Sequence, residues 1–181
     1  MTVHAVLGPS SAERWMNCYG SVELSQDIKD QGSINASEGT MMHTVSATCL
    51  DKGTDAVGYI GTVDGETKLV LQVDQAGYVQ YYVDYVRSLA KLPGAILMIE
   101  QSLPIEFMTG EEGAQGTADA IIITADELIV VDAKFGFKPV DAVENKQLQM
   151  YAAAAYEIYK WAYDFKTVRI VIVQPRIGGA K

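Results

Sequence analysis

Residues 116–151 read GTADAIIITADELIVVDAKFGFKPVDAVENKQLQMY. Two very apolar runs lie within this segment, and they predict β-strands over 117–124 and 128–134. Ala125 and Asp126 separate the two runs, so we expect an antiparallel hairpin with its tight turn at these residues. Carboxylates and an amine lie at the ends of the runs. The segment therefore predicts a strand pair with a polar group of residues at one end.

The register of this hairpin decides which of its side chains meet. In a hairpin centred on Ala125 and Asp126, the numbers of facing residues sum to 251, which pairs Asp119 with Asp132. Directly opposite residues on one face have Cβ atoms roughly 4.5–5.5 Å apart. Lys134 lies two residues beyond Asp132 and points to the same face. We therefore predict two carboxylates and an amine side by side.

The predicted pair of aspartates needs a positive partner, since facing like charges destabilise a sheet. A divalent cation supplies one, and Mg²⁺ or Mn²⁺ prefers oxygen ligands. Such an ion lowers the pKa of a bound water and neutralises a phosphate oxygen, while Lys134 handles a proton or steadies developing charge. The alternative is a solvated strand end where Lys134 pairs with Asp132. The apolar neighbours Ile121 and Val130 favour a metal-dependent nuclease site.

Four further residues are candidates for the same site. Gln147 and Tyr151 are one turn apart on a predicted helix and so share its face. An amide there can hold a phosphate or a water, and a tyrosine can contact a base or a phosphate. His43 lies among apolar residues of another predicted helix, where core packing is the commoner role. Glu100 follows an apolar run and either supports the site or faces solvent.

The remaining pattern predicts a mixed α/β protein. Ser10 and Glu13 have capping-box spacing, 25–36 reads as a loop, and Ser37 and Asp74 are expected to cap helices. Strands before the long helix should be antiparallel, and the last strand can pair in parallel. The predicted helices cover 11–18, 38–51, 74–90 and 143–162, and the predicted strands cover 95–101, 103–107, 117–124, 128–134 and 168–173.

Length and composition predict a single folded domain over residues 1–181. Hydrophobic residues make up 49% and charged residues 20%, as is typical of folded soluble proteins. No apolar run approaches the roughly 18–20 residues needed to span a bilayer. The N-terminus lacks the regions of a signal peptide. We therefore expect a cytoplasmic protein with no membrane partner.

Charge and cysteine content limit the possible partners. The net charge of −9 argues against indiscriminate nucleic-acid binding. Residues 1–133 carry six basic and nineteen acidic side chains, whereas 134–181 carry eight and four. The basic C-terminal segment is compatible with a phosphate backbone approaching the site. It is equally compatible with a chance distribution of basic residues on a solvated surface. Cys18 and Cys49 alone cannot form a four-thiolate site and are expected to be unpaired in a reducing compartment.

These motifs resemble the PD-(D/E)XK nuclease superfamily. Asp119 and the tripeptide Asp132-Ala133-Lys134 match its signature, with aspartate in the second acidic position. Three further blocks resemble the RecB-like exonuclease branch: Glu38-Gly39-Thr40…His43, Gln147…Tyr151 and Ser11…Trp15…Cys18. Within that branch, Gly116-Thr117-Ala118-Asp119 and Asn145-Lys146-Gln147-Leu148-Gln149-Met150-Tyr151 resemble a group of uncharacterised phage and prophage proteins.

The resemblance implies a fold, an activity and a set of roles. The implied fold is a restriction-endonuclease-like core, a mixed central sheet flanked by helices in α-β-β-β-α-β order, with extra N-terminal helices. The implied activity is that of a Mg²⁺- or Mn²⁺-dependent phage-type exonuclease that hydrolyses DNA phosphodiester bonds in recombination or DNA processing. The implied metal ligands are His43, Asp119, Asp132 and the Ala133 carbonyl. The implied catalytic residues are Asp119, Asp132 and Lys134. The implied substrate-binding residues are Gln147 and Tyr151.

Two departures from the superfamily and several alternatives accompany this prediction. Some relatives carry four cysteines for an iron–sulfur cluster, and this chain has two, so no cluster is predicted. The sequence ends soon after the last predicted strand, so a compact version and a truncated chain are both open. The alternative function is a catalytically inactive nuclease fold that serves as a DNA-binding or phage assembly module. The sequence leaves open whether the substrate is single- or double-stranded and whether it is DNA or RNA. It also leaves open whether a recombination partner binds and whether the chain forms a homo-oligomer.

Overall fold

A five-stranded mixed sheet forms the centre of the structure, a computed structural model that describes residues 5–25 and 33–180. The strands are β1 (Ile96–Pro104), β2 (Gln115–Ile123), β3 (Glu127–Ala133), β4 (Thr167–Gln174) and β5 (Gly179–Ala180), in that spatial order. β3 and β4 are parallel, and the other neighbouring strands are antiparallel. The predicted mixed α/β class and the parallel return of the last predicted strand are confirmed.

The helices cover both faces of this sheet. They are α1 (Ala12–Asn17), α2 (Gly20–Ser25), α3 (Ile34–Lys52), α4 (Val73–Ala90), α5 (Glu106–Thr109) and α6 (Lys146–Tyr159). α3 and α4 pack in one buried cluster with Ile122 and Ile129, whereas α6 and the N-terminal segment pack in a second with Ile121 and Val130. Side chains from the two faces can therefore meet only at the ends of strands.

None of the helices in residues 5–25 and 33–180 combines the length and the apolar character needed to cross a membrane.

The N-terminal helices begin at residues other than the predicted ones. Ser10 lies within a 3₁₀ turn (Pro9–Ser11), and α1 follows Ser11 without a side-chain cap, so the predicted capping box is wrong. Ser33, rather than Ser37, caps α3, because its Oγ accepts the amide of Ala36 at 3.1 Å. The amide of Ser37 is already bonded to the Ser33 carbonyl. Of the predicted loop, Ser33 is therefore a helix cap and 34–36 are helical. Residues 26–32 of that loop lie outside the described residues.

Two other predicted boundaries are corrected by local chemistry. The strand predicted over 103–107 is wrong, because β1 continues to Pro104 and α5 follows directly. Proline donates no ladder hydrogen bond, which suits it to the end of a strand. α6 begins at Lys146 rather than at residue 143, since Glu144 has a φ of 56° and the side chain of Asn145 caps the amide of Leu148.

α4 ends at Ala90 as predicted but begins at Val73. Gln72 and Gln75 form its capping box, so Asp74 lies in the first turn and is not the cap. The amphipathic pattern thus located the helix and one end correctly, while the choice of Asp74 as the cap was wrong. The side-chain oxygen of Gln75 accepts the backbone amide of Gln72 at 2.9 Å, a contact that composition alone does not predict.

The hairpin of β2 and β3 has the predicted register. Ala120 pairs with Val131 and Ile123 pairs with Leu128, and the turn is closed by the amide of Thr124 on the Glu127 carbonyl at 2.9 Å. Asp119 and Asp132 are the next residues beyond the last pair. Both lie at the open end of the hairpin, where the pairing of β2 with β3 stops.

Strict alternation of faces does not hold through Asp119. Ala118 packs in the cluster on the α6 side, whereas Ala120 packs in the cluster on the α3 side. Opposite Asp119 on β1, Glu100 has a φ of 48°, in the left-handed region. This local irregularity allows Asp119 to contact α3, although the hairpin pattern had assigned it to the face of Ile121.

Candidate metal centre

His43 and Asp119 meet at the open end of the hairpin. His43 Nδ1 lies 3.2 Å from Asp119 Oδ1. The ring of Phe135 packs edge-on against the imidazole with centroids 5.2 Å apart, which restrains its orientation. The second oxygen of Asp119 accepts the amide of Ala133 at 2.7 Å. Asp119 is thus fixed by the helix on one side and by β3 on the other.

Glu100 completes a cluster of possible metal ligands. One ligand atom each of His43, Glu100 and Asp119 lies within 4.8 Å of the other two. The left-handed backbone of Glu100 costs roughly 1–3 kcal/mol for a non-glycine residue, and such strain persists where the surrounding structure imposes it. The sequence left Glu100 between a supporting role and a solvent-facing one. In the structure, Glu100 lies at the cluster and is also exposed to solvent.

A chain of polar contacts extends from Asp132 to α6. Lys134 Nζ lies 2.7 Å from Asp132 Oδ2 and donates to Gln147 Oε1 at 2.8 Å. The amide of Gln147 donates in turn to the Tyr151 hydroxyl at 3.3 Å. The Asp132 side chain is only 5% exposed, so its oxygens are largely removed from water. Gln147 and Tyr151 share one face of α6, as predicted, and that face meets Lys134.

Burial and like charge raise the pKa of two carboxyl groups at the site. For Asp132, burial and then the charge of Asp119 raise the pKa to about 6, although Lys134 lowers it. The pKa of Glu100 is raised to about 6 by burial and by Asp119. Burial lowers the pKa of His43, but attraction to Asp119 and a hydrogen bond with it leave that pKa raised. The cluster therefore favours bound positive charge, whether protons or a cation.

Gly116 permits the N-terminal segment to approach Tyr151. A Cβ atom at Gly116 would lie 2.7 Å from Pro9 Cγ and 2.8 Å from Tyr151 Cε1. The indole of Trp15 donates to the Gly8 carbonyl at 3.0 Å, which holds this segment in place. Pro9 was not among the residues predicted from the sequence. The available signal was a glycine inside a predicted strand, which often marks close approach of another chain segment.

A cleft of about 820 Å³ opens beside Lys134 and Gln147. Its walls are the N-terminal segment, including Pro9 and Asn17, and residues 138–146. A second groove of about 920 Å³ lies between α4 and the 3₁₀ turn Ala56–Tyr59. That groove contains none of the clustered ligands. The cleft at Lys134 is lined by Lys134 and Gln147 of the polar chain, whereas His43, Glu100, Asp119 and Asp132 do not line it.

The structure brings together most of the predicted site residues. His43 pairs with Asp119, and Asp132, Lys134, Gln147 and Tyr151 form a separate chain of contacts. Ala133 reaches Asp119 through its amide, and metal binding by its carbonyl stays a prediction.

The sequence profile of one known family matches residues 4–181, nearly the whole chain. The chain belongs to the DUF2800 family. The description of that family is "protein of unknown function". The DUF2800 match includes every residue of the cluster and of the cleft, so the site described above lies wholly within the family region.

Proposed function

We propose that this DUF2800 protein is a metal-dependent nuclease that hydrolyses phosphodiester bonds in DNA. The observation that carries the proposal is the convergence of His43, Glu100 and Asp119 beside the ion pair of Asp132 and Lys134. Gathering carboxylates in a partly buried place costs free energy unless a cation compensates them. Lys134 and His43 offset part of this cost, and a bound divalent cation would offset more of it.

The donor set fits Mn²⁺ or Mg²⁺. Carboxylate oxygens suit both ions, and one imidazole nitrogen favours Mn²⁺ of the two. The ion would be held by His43, Glu100, Asp119 and Asp132, with the Ala133 carbonyl as a further ligand. When bound, the ion supplies Lewis acidity and lowers the pKa of a water.

The residues of the chain have separate tasks in this proposal. Lys134 Nζ donates to a non-bridging phosphate oxygen and steadies charge that develops during hydrolysis. Gln147 holds Lys134 in that position through its Oε1, and Tyr151 orients the amide of Gln147. The polar cleft beside Lys134 would admit the nucleic-acid backbone.

The order of elements supports the nuclease assignment. α3, β1, β2, β3, α6 and β4 follow the α-β-β-β-α-β order of a restriction-endonuclease-like core, interrupted by α4 and the short α5. Together with the resemblance to the RecB-like branch, this favours a phage-type exonuclease acting in recombination or DNA processing. DNA is the proposed substrate and partner, and the more basic segment over 134–181 would face it.

Cleavage assays with matched variants test the proposal. Labelled linear and circular DNA would be incubated with Mg²⁺ or Mn²⁺, since an exonuclease degrades only the linear form. Asp132→Asn and Lys134→Met should each abolish cleavage. Asp126→Asn and Lys166→Met are the matched controls, because Asp126 and Lys166 form an exposed pair, 3.7 Å apart, at the opposite end of β3. The controls should retain activity.

Two outcomes would contradict the proposal. Cleavage that survives both Asp132→Asn and Lys134→Met would show that these residues are not the site. DNA binding without cleavage by the wild-type chain, with either metal, would favour the inactive DNA-binding module.

A further inference from the structure

Arg176 is a buried cation at the junction of three elements. It follows β4, and its side chain is 7% exposed. Nη2 donates to Glu38 Oε2 of α3 at 3.0 Å. The guanidinium also lies over the ring of Phe137 at 4.3 Å and the ring of Tyr78 on α4 at 5.0 Å. Arg176 thus joins α3, α4 and the loop that follows Lys134.

Gln174, at the end of β4, also contacts the loop that follows Lys134. Gln174 is 1% exposed and lies two residues before Arg176. Its side chain accepts the amide of Val140 at 2.9 Å and donates to the Lys138 carbonyl at 3.0 Å. The loop over 135–140 is therefore fixed to the end of β4 by Gln174 and by the stacking of Phe137 on Arg176.

These contacts lead directly to His43. Glu38 lies five residues before His43 on α3, and Phe135 at the start of the loop packs on the imidazole. The Arg176–Glu38 pair therefore holds the helix that carries His43, and the Arg176–Phe137 contact holds the loop that restrains its ring. Asp119, the partner of His43, lies on the sheet to which Arg176 is itself attached.

Stability alone does not account for an arginine at this place. Its Nε is buried without a hydrogen-bond partner among the described residues. An unpaired buried donor costs free energy, and buried ion pairs can often be replaced by apolar side chains without loss of stability. The planar guanidinium does, however, fix geometry, since it stacks on rings and pairs with a carboxylate in one orientation.

We infer that Arg176 is a positioning residue for His43: by joining Glu38 to Phe137, it sets where the imidazole stands relative to Asp119. The consequence for metal binding rests on the proposed function. The consequence for the position of His43 does not.

Two effects of removing Arg176 on metal affinity have opposite signs. Loss of a positive charge near an acidic cluster would strengthen cation binding by Coulomb's law. Loss of positioning would weaken it, and partners that orient metal ligands typically contribute about 10–100-fold to affinity. Arg176→Met should therefore weaken Mn²⁺ binding about tenfold. Arg176→Lys keeps the charge but loses the planar contacts, so it should also weaken binding.

The experiment combines a metal titration with a probe of His43 that needs no metal. Mn²⁺ affinity is measured by calorimetry on the full chain. The ring Cε1–H signal of His43 is recorded by NMR without metal, and a His4→Gln variant assigns it because the chain has two histidines. Arg176→Met should shift this signal. Phe137→Ala, which truncates a residue that is 61% exposed, should shift it with less risk to folding.

Arg169→Met is the matched control. Arg169 pairs with Glu127 through two hydrogen bonds of 3.0 and 2.9 Å at the opposite end of β3 and β4. Its replacement should leave both the His43 signal and the Mn²⁺ affinity as in the wild type.

The outcomes separate this inference from the proposed function. A shifted His43 signal together with weaker Mn²⁺ binding supports both. A shifted signal in a chain whose wild type binds no Mn²⁺ supports the positioning role and counts against the metal centre. An unchanged His43 signal in folded Arg176→Met and Phe137→Ala overturns the inference. Equal or tighter Mn²⁺ binding in Arg176→Met overturns it as well.

Discussion

Glu100 lies opposite Asp119 at the one gap in the ladder between β1 and β2. Ile99 pairs with Ala120 and Gln101 pairs with Ala118, while Glu100 between them has a φ of 48°. This unusual backbone conformation coincides with the position where the carboxylates of Glu100 and Asp119 meet His43. A local irregularity of two strands therefore accompanies the cluster on which the proposed function depends.

Glu100→Gln should weaken Mn²⁺ binding at least about tenfold, because it removes a charged oxygen ligand from the cluster. Calorimetry on the full chain measures the affinity. Glu66→Gln, which changes an exposed carboxylate in the turn before α4, is the control and should bind as the wild type does. Equal affinity in Glu100→Gln and the wild type would remove Glu100 from the site.

Asp132→Asn should stabilise the metal-free protein at pH 7.5 while it abolishes activity. Burial and Asp119 raise the pKa of Asp132 to about 6, so the ionised carboxylate destabilises the folded state. The expected gain is about 1–3 kcal/mol, since one pKa unit corresponds to about 1.4 kcal/mol. It should be full above about pH 6 and vanish below about pH 4, where aspartic acid is protonated in both the folded and unfolded states.

Urea denaturation with a chelator across this pH range measures the gain. Asp126→Asn, at an exposed turn, should change stability by less than about 0.5 kcal/mol. A less stable Asp132→Asn variant at pH 7.5 would mean that the ion pair with Lys134 outweighs burial and repulsion.

Mn²⁺ affinity should fall about tenfold between pH 7.5 and pH 5.5, because metal ligands must lose their protons before they bind. The pKa values of Asp132 and Glu100 are both raised to about 6, so both carboxyls are largely protonated at the lower pH and ionised at the higher one. Titrations at the two pH values measure the change. An affinity that does not depend on pH would show that neither carboxyl is a ligand.

Gly116→Ala should destabilise the protein by about 1–3 kcal/mol, the usual cost of overpacking. The new methyl group would meet Pro9 Cγ at 2.7 Å and Tyr151 Cε1 at 2.8 Å. Gly77→Ala is the matched control, because its Cβ would meet nothing within 4 Å in the exposed part of α4. That change should stabilise the protein by about 0.5–1 kcal/mol. Denaturation midpoints of both variants would be compared, and a neutral Gly116→Ala would contradict the close approach.

Local features were predictable where the sequence pattern was itself local. The apolar runs and the turn at Ala125 and Asp126 predicted the register from Ala120–Val131 to Ile123–Leu128 correctly. The spacing of Gln147 and Tyr151 gave their common face on α6. Helix starts were less predictable, since Ser33 and Gln72 served as caps where Ser37 and Asp74 were equally plausible by composition.

The sequence by itself determined the sheet-forming hairpin, its register and the polar residues at its open end, because these follow from periodicity and turn length over a short segment. The family resemblance had already grouped His43 with Asp119. Only the tertiary structure decided that Glu100 joins them, that Pro9 packs on Gly116, and that Arg176 joins α3 to the loop after Lys134. Those contacts join distant segments, and they depend on how both faces of the sheet are packed. A pattern read along one segment carries no information about which distant side chain will lie beside it.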